Sequence, residues 1–164
     1  SEYAKKGALL ELIRFATEDI GLADNNALTL AVSVYQACHF LGMPECNIHL
    51  THAVVYLSLA PRSNSVYMSY EHAKKDALNM LSEPVPLVIR NAPTGLMKEL
   101  DYGKGYVYAH DTKEKLARME CLPESLKGTR YYIPGEAGEE KKQAERLKEV
   151  QRFWEDGELP VDAG

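Results

Sequence analysis

The chain reads as an all-α protein built around a helical bundle, and three observations carry that reading. Four apolar-periodic segments follow one another through residue 81. Each is bounded by Gly, Pro or a short polar cap. Where the β-branched pair Val54-Val55 could suggest a strand, the flanking caps and the length of the segment favour helix. Four helices with short links predict a bundle rather than a layered α/β fold.

The first helix, expected over 4–20, places Leu9, Leu12, Ala16 and Ile20 on one stripe, and Gly21 stops it. Asp24 is the candidate cap of a second helix, 25–41, closed by Gly42 and Pro44. Leu28, Ala31, Val34, Tyr35, Cys38 and Leu41 make that helix apolar nearly all round, so it is expected at the centre. A third helix, 47–59, carries Ile48, Val54, Val55, Leu57 and Leu59 and ends before Pro61. Ser63 is the candidate cap of a fourth, to about Leu81, with Val66, Tyr70, Ala73, Ala77 and Met80 facing inward.

The character changes at residue 83. SEPVPLVIRNAP holds three prolines within ten residues, each without a backbone donor, and is expected to run extended. A short helix, 93–100, is expected after Asn91 as cap. The stretch ELDYGKGYVYAHD (99–111) follows, then a short charged helix near 112–119 and the turns of PESLKGTRYYIPGE. The last helix, 136–156, carries Ala144, Leu147, Val150 and Trp154 as a narrow stripe among Glu and Lys. One structural domain is expected, with a four-helix core at 1–82, connector and loops packed on it at 83–134, and an amphipathic helix and tail at 135–164.

Composition bounds the function. The 164 residues are 45% hydrophobic and 26% charged, enough for a core without disulfides or metals. A net charge of −5 means that nucleic-acid affinity would need a local basic patch. Cys38, Cys46 and Cys121 form no CxxC pair and read as free thiols of a reducing compartment. The longest apolar run, AVVYLSLA at 53–60, is far too short to span a bilayer, and a cytosolic or, in a eukaryote, nuclear site is expected. The start SEYAKK, without Met, reads as a piece of a longer protein.

The residues offer four candidate chemistries. A Walker loop needs GxxxxGK followed by Ser or Thr. Here Gly103-Lys104 is followed by Gly105, and Lys98 holds the first glycine position. A tight turn that throws Tyr102, Tyr106 and Tyr108 outward explains the glycines more simply. These tyrosines, with Tyr131, Tyr132, Lys98, Lys104 and Arg130, could stack and neutralise a single strand. However, Arg90, Lys98 and Lys104 are balanced by Glu99, Asp101 and Asp111, which favours packing or subunit contact over DNA. Cys38, Cys46, His49 and His52 lack the spacing of a structural zinc set and read as buried thiols. The carboxylates of TEDIGLAD, Glu18, Asp19 and Asp24, sit at a helix end and cap, where solvation is the default. No catalytic constellation stands out.

Taken in order, LIRFATEDIGLADNNAL, GMPECNIHLTHAVVYLSLAPRSNSVY, PVPLVIRNAPTGLMKELDYGKGYVYAHD and LPESLKGTRYYIP resemble the C-terminal part of one AAA+ ATPase family. It is the replication-associated recombination protein A family (RarA, also MgsA), whose eukaryotic relatives include the Werner-helicase-interacting ATPase. The likeness runs from about residue 9 to residue 134. It implies a clamp-loader-collar-like helical region that assembles the parent, typically as a homotetramer, in replication-fork maintenance, recombination and repair. It also implies that ATP and Mg belong to the parent's ATPase module, with no cofactor or metal and no catalysis in this region. DNA and single-strand-binding protein would be partners of the parent, with no membrane, in the cytoplasm at the bacterial nucleoid or in a eukaryotic nucleus. Candidate interface or DNA-contact residues are Arg90, Asn91, Lys98, Tyr102, Lys104, Tyr106, Tyr108, Arg130 and Tyr131. The family commonly has glycine where Asp101 stands, a basic residue where Gly95 stands and proline where Asn25 stands. The first two departures weaken the loop as a DNA grip.

Overall fold

The computed structural model describes residues 2–80 and 83–156. The protein is all-α, with six α-helices joined by short 3-10 turns and irregular segments, and no strand among the described residues. The helices are α1 (Glu2–Phe15), α2 (Asn26–Leu41), α3 (Asn47–Leu59), α4 (Ser65–Asn79), α5 (Gly95–Glu99) and α6 (Glu140–Asp156). Two compact units are distinguishable. One takes the chain through Lys75 together with Tyr131–Arg146; the other takes Asp76–Arg130 with the chain from Leu147 onward.

In the first unit, the apolar stripe of α1 does what its spacing predicts. Beyond Phe15 the helix widens into a π-helical turn, Ala16–Ile20, which ends at Gly21. Leu9, Val34, Cys38, Cys46 and Ala53 form one buried cluster, and Ala16, Ile20, Ala27, Ala31 and Leu57 form another, with Leu12 packed against both. Small residues dominate the α2 and α3 positions here, so the helices approach closely. Asp24 caps α2, its Oδ1 accepting from the Asn26 N–H at 3.0 Å. Its Oδ2 accepts from the Tyr56 hydroxyl at 2.7 Å and ties the cap to α3. Glu18 is paired with Arg14 on the exposed side of α1 at 3.3 Å, so the TEDIGLAD acids serve capping and surface pairing.

The packing departs from the expected bundle in one important way. The core is made by α1, α2 and α3, and α4 contributes no residue to either cluster. Ser65 is the buried residue of α4, while Val66, Tyr70 and Ala77, expected to face inward, are exposed. Likewise, α2 leaves Leu28 and Leu41 exposed. In α3 only Ala53 and Leu57 are buried, against Ile48, Val54, Val55 and Leu59 outside. A helix apolar on all sides needs neighbours on all sides to be central. The chain supplies α3 with neighbours on one side.

In the second unit, two further expectations change. The short helix is Gly95–Glu99, and its cap is Thr94, whose Oγ1 accepts from the Met97 N–H at 3.3 Å, rather than Asn91. The expected helix near 112–119 is absent: Ala109–Asp111 is a 3-10 turn, and Lys115 adopts φ 57°, which a right-handed helix does not contain. Lys115 Nζ instead donates to the His110 carbonyl. The last helix starts at Glu140 rather than 136, and its buried side chain near the end is Phe153, whereas Trp154, expected on the apolar stripe, is exposed. The expected tail beyond residue 156 lies outside the described residues.

Candidate functional site

The tyrosine–glycine stretch is a tight turn following α5. Asp101 N–H donates to the Lys98 carbonyl at 3.1 Å and Tyr102 N–H to Met97 at 3.0 Å, which closes the helix. Gly103 then adopts φ 72°, and its N–H donates to the Leu87 carbonyl at 2.6 Å. A Cβ at this position would stand 3.1 Å from the Arg90 carbonyl, so glycine is required both by φ and by the close approach. Asp101, at φ 63°, is the non-glycine residue in left-handed geometry here.

The turn organises its aromatics unequally. Arg90 lies 5.1 Å over the Tyr102 ring, and its Nη1 donates to the Tyr102 hydroxyl at 3.2 Å. Both residues are therefore spent on internal packing. Lys104 is paired with Asp101 at 3.1 Å. Tyr106 and Tyr108 are exposed, and Tyr108 stacks at a tilt on His110, with ring centroids 5.1 Å apart. Asn91 and Lys98 are exposed, and Leu96, Leu100 and Val107 add apolar surface to the same segment. Arg130 donates to Glu155 of α6 at 2.7 Å, so its guanidinium serves an ion pair rather than the tyrosine turn. Tyr131 is half-buried and belongs to the first unit.

A second constellation, absent from the candidate residues, lies at the start of α6. Glu140 is fully buried. Its Oε1 accepts hydrogen bonds from the Ser65 and Tyr132 hydroxyls, the latter at 2.9 Å. At the buried Oε2 no donor among the described residues meets hydrogen-bond geometry, and Ser63 and the Gly135 backbone N–H act on the carboxylate from less favourable positions. Burial pushes this carboxyl's pKa up, but Ser63, Ser65, the Gly135 backbone N–H and Tyr132 together outweigh it. The carboxyl is held below the ordinary glutamate value. The Tyr132 hydroxyl is pushed up to about 12, by burial first and then by the Glu140 carboxylate.

Next to it, Glu139 Oε2 accepts from both the backbone N–H and the side-chain amide of Asn25 at 3.0 Å, and Glu139 N–H donates to the Ala23 carbonyl at 2.8 Å. Gly138 (φ 57°) passes so close to the Ala23 carbonyl and Pro61 that no side chain fits. The segment 131–140 is thus bolted to the turns at 21–25 and 61–65. The sequence signal was two glycines followed directly by the acidic pair Glu139-Glu140 in GEAGEE, just where a helix starts.

The third feature is the outward face of α3. Ile48 is 78% exposed, Val55 53% and Leu59 81%, with His52 exposed between them. Beside the C-terminal half of α3 lies a depression of about 430 Å³, lined by Asp24, His52, Val55, Tyr56, Leu59, Ala60 and Pro61. Leaving several large aliphatic side chains in water on one short helix is costly, at roughly 1.5–3 kcal/mol for each that could instead be buried.

Residues 9–151 match the family described as MgsA AAA+ ATPase C terminal. The chain belongs to that family. It is 43% identical to the replication-associated recombination protein A of Coxiella burnetii over 93% of this chain and 35% of that protein. It is 40% identical to the protein of the same name from Escherichia coli K12, over 82% of this chain and 30% of that one. The ATPase WRNIP1 of Dictyostelium discoideum is 43% identical over 74% of this chain and 14% of its own length. The chain therefore spans about a third of the bacterial relatives and less of the eukaryotic one. As an MgsA C-terminal region it corresponds to a part of proteins named for replication-associated recombination. No helix among the described residues is long and apolar enough to cross a membrane.

Proposed function

We propose that this MgsA C-terminal region is the assembly module of a replication-associated recombination ATPase. It would hold several copies together, as a tetramer in the form the family resemblance implies, while ATP and Mg are handled elsewhere in the parent. DNA and single-strand-binding protein are partners of the parent in this reading, and the region itself performs no catalysis. The observation that carries the reading is the surplus of exposed apolar side chains. Ile48 and Leu59 on α3, and Leu96, Leu100, Tyr106 and Tyr108 around α5, are each more than half exposed. An ordinary monomer surface scatters such residues singly, and contiguous stretches on well-formed elements mark contact surfaces.

Multi-angle light scattering of the chain tests this directly. A mass that rises with concentration towards four copies is expected. A strict monomer at tens of micromolar overturns the assembly reading.

The rival reading, a single-strand or fork DNA module built on the tyrosine turn, has less support. Its central cation, Lys104, is paired with Asp101, and Arg90 is stacked on Tyr102. A net charge of −5 adds no compensating field.

A further inference from the structure

The exposed residues of α3 form a pattern with its own symmetry. Ile48, His52, Val55 and Leu59 follow one another at intervals of four, three and four residues, the spacing of a coiled-coil seam. Read from either end, the intervals are the same. A seam of this kind can pack against a copy of itself running the other way, Ile48 opposite Leu59 and His52 opposite Val55. That is the requirement of an isologous two-fold contact.

Shape agrees with spacing. The N-terminal end of the seam offers a knob, Ile48, which is 78% exposed. Its C-terminal end offers a second protruding side chain, Leu59, 81% exposed, on the wall of the depression of about 430 Å³ that Asp24, His52, Val55, Tyr56, Ala60 and Pro61 also line. An antiparallel arrangement brings each knob to the other copy's depression. Charge agrees as well. The rim of the depression carries Asp24, which accepts from Tyr56 and Asn26 but forms no ion pair among the described residues. Antiparallel packing sets that carboxylate beside the N-terminal, positive end of the other copy's α3. A parallel arrangement would set Ile48 against Ile48 and Leu59 against Leu59, and would bring no Ile48 to either depression.

We propose that α3 is a two-fold self-contact, in which two copies pair antiparallel and each seats Ile48 in the depression beside the other's Val55 and Leu59. This deepens the assembly reading above and rests on it. The 13-residue helix is about 18 Å long at a rise of about 1.5 Å per residue. So short a contact alone is reversible, and it supplies one of the two interfaces a four-fold assembly of paired copies needs.

The test uses the chain with the exposed Cys121 replaced by Ser. Ile48→Asp and Leu59→Asp, both at exposed positions, should keep the helical circular-dichroism spectrum and thermal transition. They should weaken association in sedimentation equilibrium by about tenfold or more. For orientation, the Ile48→Cys and Leu59→Cys chains are mixed and oxidised. A disulfide-linked pair of one of each is expected in preference to either like pair. A parent chain that stays monomeric overturns both this contact and the assembly reading. A parent chain that assembles, with the Asp variants assembling equally well, overturns the α3 contact and leaves the assembly reading standing. Preferential linking of two Ile48→Cys chains overturns the antiparallel pairing.

Discussion

The Tyr132 hydroxyl donates to the fully buried Glu140 carboxylate at 2.9 Å, and this bond joins the end of the loop region to the first residue of the last helix. Ser65 donates to the same oxygen from the start of α4. One carboxylate therefore ties the start of α4 to a segment 75 residues away in sequence, 132–140.

Removing it should be expensive. Glu140→Ala takes the acceptor from the buried Ser65 hydroxyl and the half-buried Tyr132 hydroxyl and opens a cavity, and is expected to cost about 3 kcal/mol or more. Urea denaturation at neutral pH measures this, and a loss well under 1 kcal/mol would contradict the role given to the carboxylate. Glu140→Gln keeps the volume and should lose less.

The same group sets an acid limb. Its pKa in the folded chain lies below the ordinary value of 4.5. A depressed carboxylate pKa contributes stability that is present above about 4.5 and is lost as pH falls through the folded value. The difference in melting temperature between the parent chain and Glu140→Gln should thus shrink as pH drops below about 4.5. A constant difference across that window would sink the assignment.

Tyr132 sets an alkaline limb. Its hydroxyl moves from 10.0 to about 12 on folding. With a raised folded pKa, its contribution is full below 10 and is lost as pH rises from about 10 to about 12. Tyr132→Phe should be less stable at neutral pH, and its deficit should narrow across that window. The spectrophotometric titration of tyrosinate should show late-ionising tyrosines, Tyr56 with its hydrogen bond to Asp24 among them, and the variant should have one fewer.

Backbone geometry supplies a matched trio. Gly138→Ala pushes a Cβ into the Ala23 carbonyl and Pro61 at φ 57°, and should cost several kcal/mol or prevent folding. Gly103→Ala, at φ 72° and 3.1 Å from the Arg90 carbonyl, should cost about 1–2 kcal/mol. Asp101→Gly, at φ 63°, should change stability by less than about 1 kcal/mol, since relief of strain offsets both added chain entropy and loss of the Lys104 pair. Denaturant midpoints rank the three, and Asp101→Gly as the worst would overturn the reasoning.

The tyrosine turn should not act as a nucleic-acid grip. Fluorescence anisotropy with a labelled single strand at low salt is expected to show no saturable binding by this chain. Binding that appears at low salt and is lost in Lys104→Ala or Tyr106→Ala would restore the DNA reading.

Much of the fold follows from local rules. The stripe Leu9, Ala16, Ile20 is buried as its spacing requires, and Gly21, Gly42, Asp24 and Ser63 sit at helix ends, where their chemistry suits them. The charged segment 112–119 misled, because helix-favouring residues there lack a face to bury, and propensity without burial does not hold a short helix.

What the sequence determined by itself was the helical class, the extents of the second and third helices and the failure of the phosphate-loop pattern, because periodicity, caps and motif spacing act between near neighbours. It also carried the family signature that the comparisons bear out. What only tertiary structure decided was the use of each apolar face. Ile48 and Leu57 look alike in sequence, yet Leu57 meets α1 and α2 in the core while Ile48 meets solvent. The Glu140 site was equally out of reach, since its partners at 63–65 and 132–135 converge only when the chain folds back. A buried carboxylate is tolerable only after those donors have arrived.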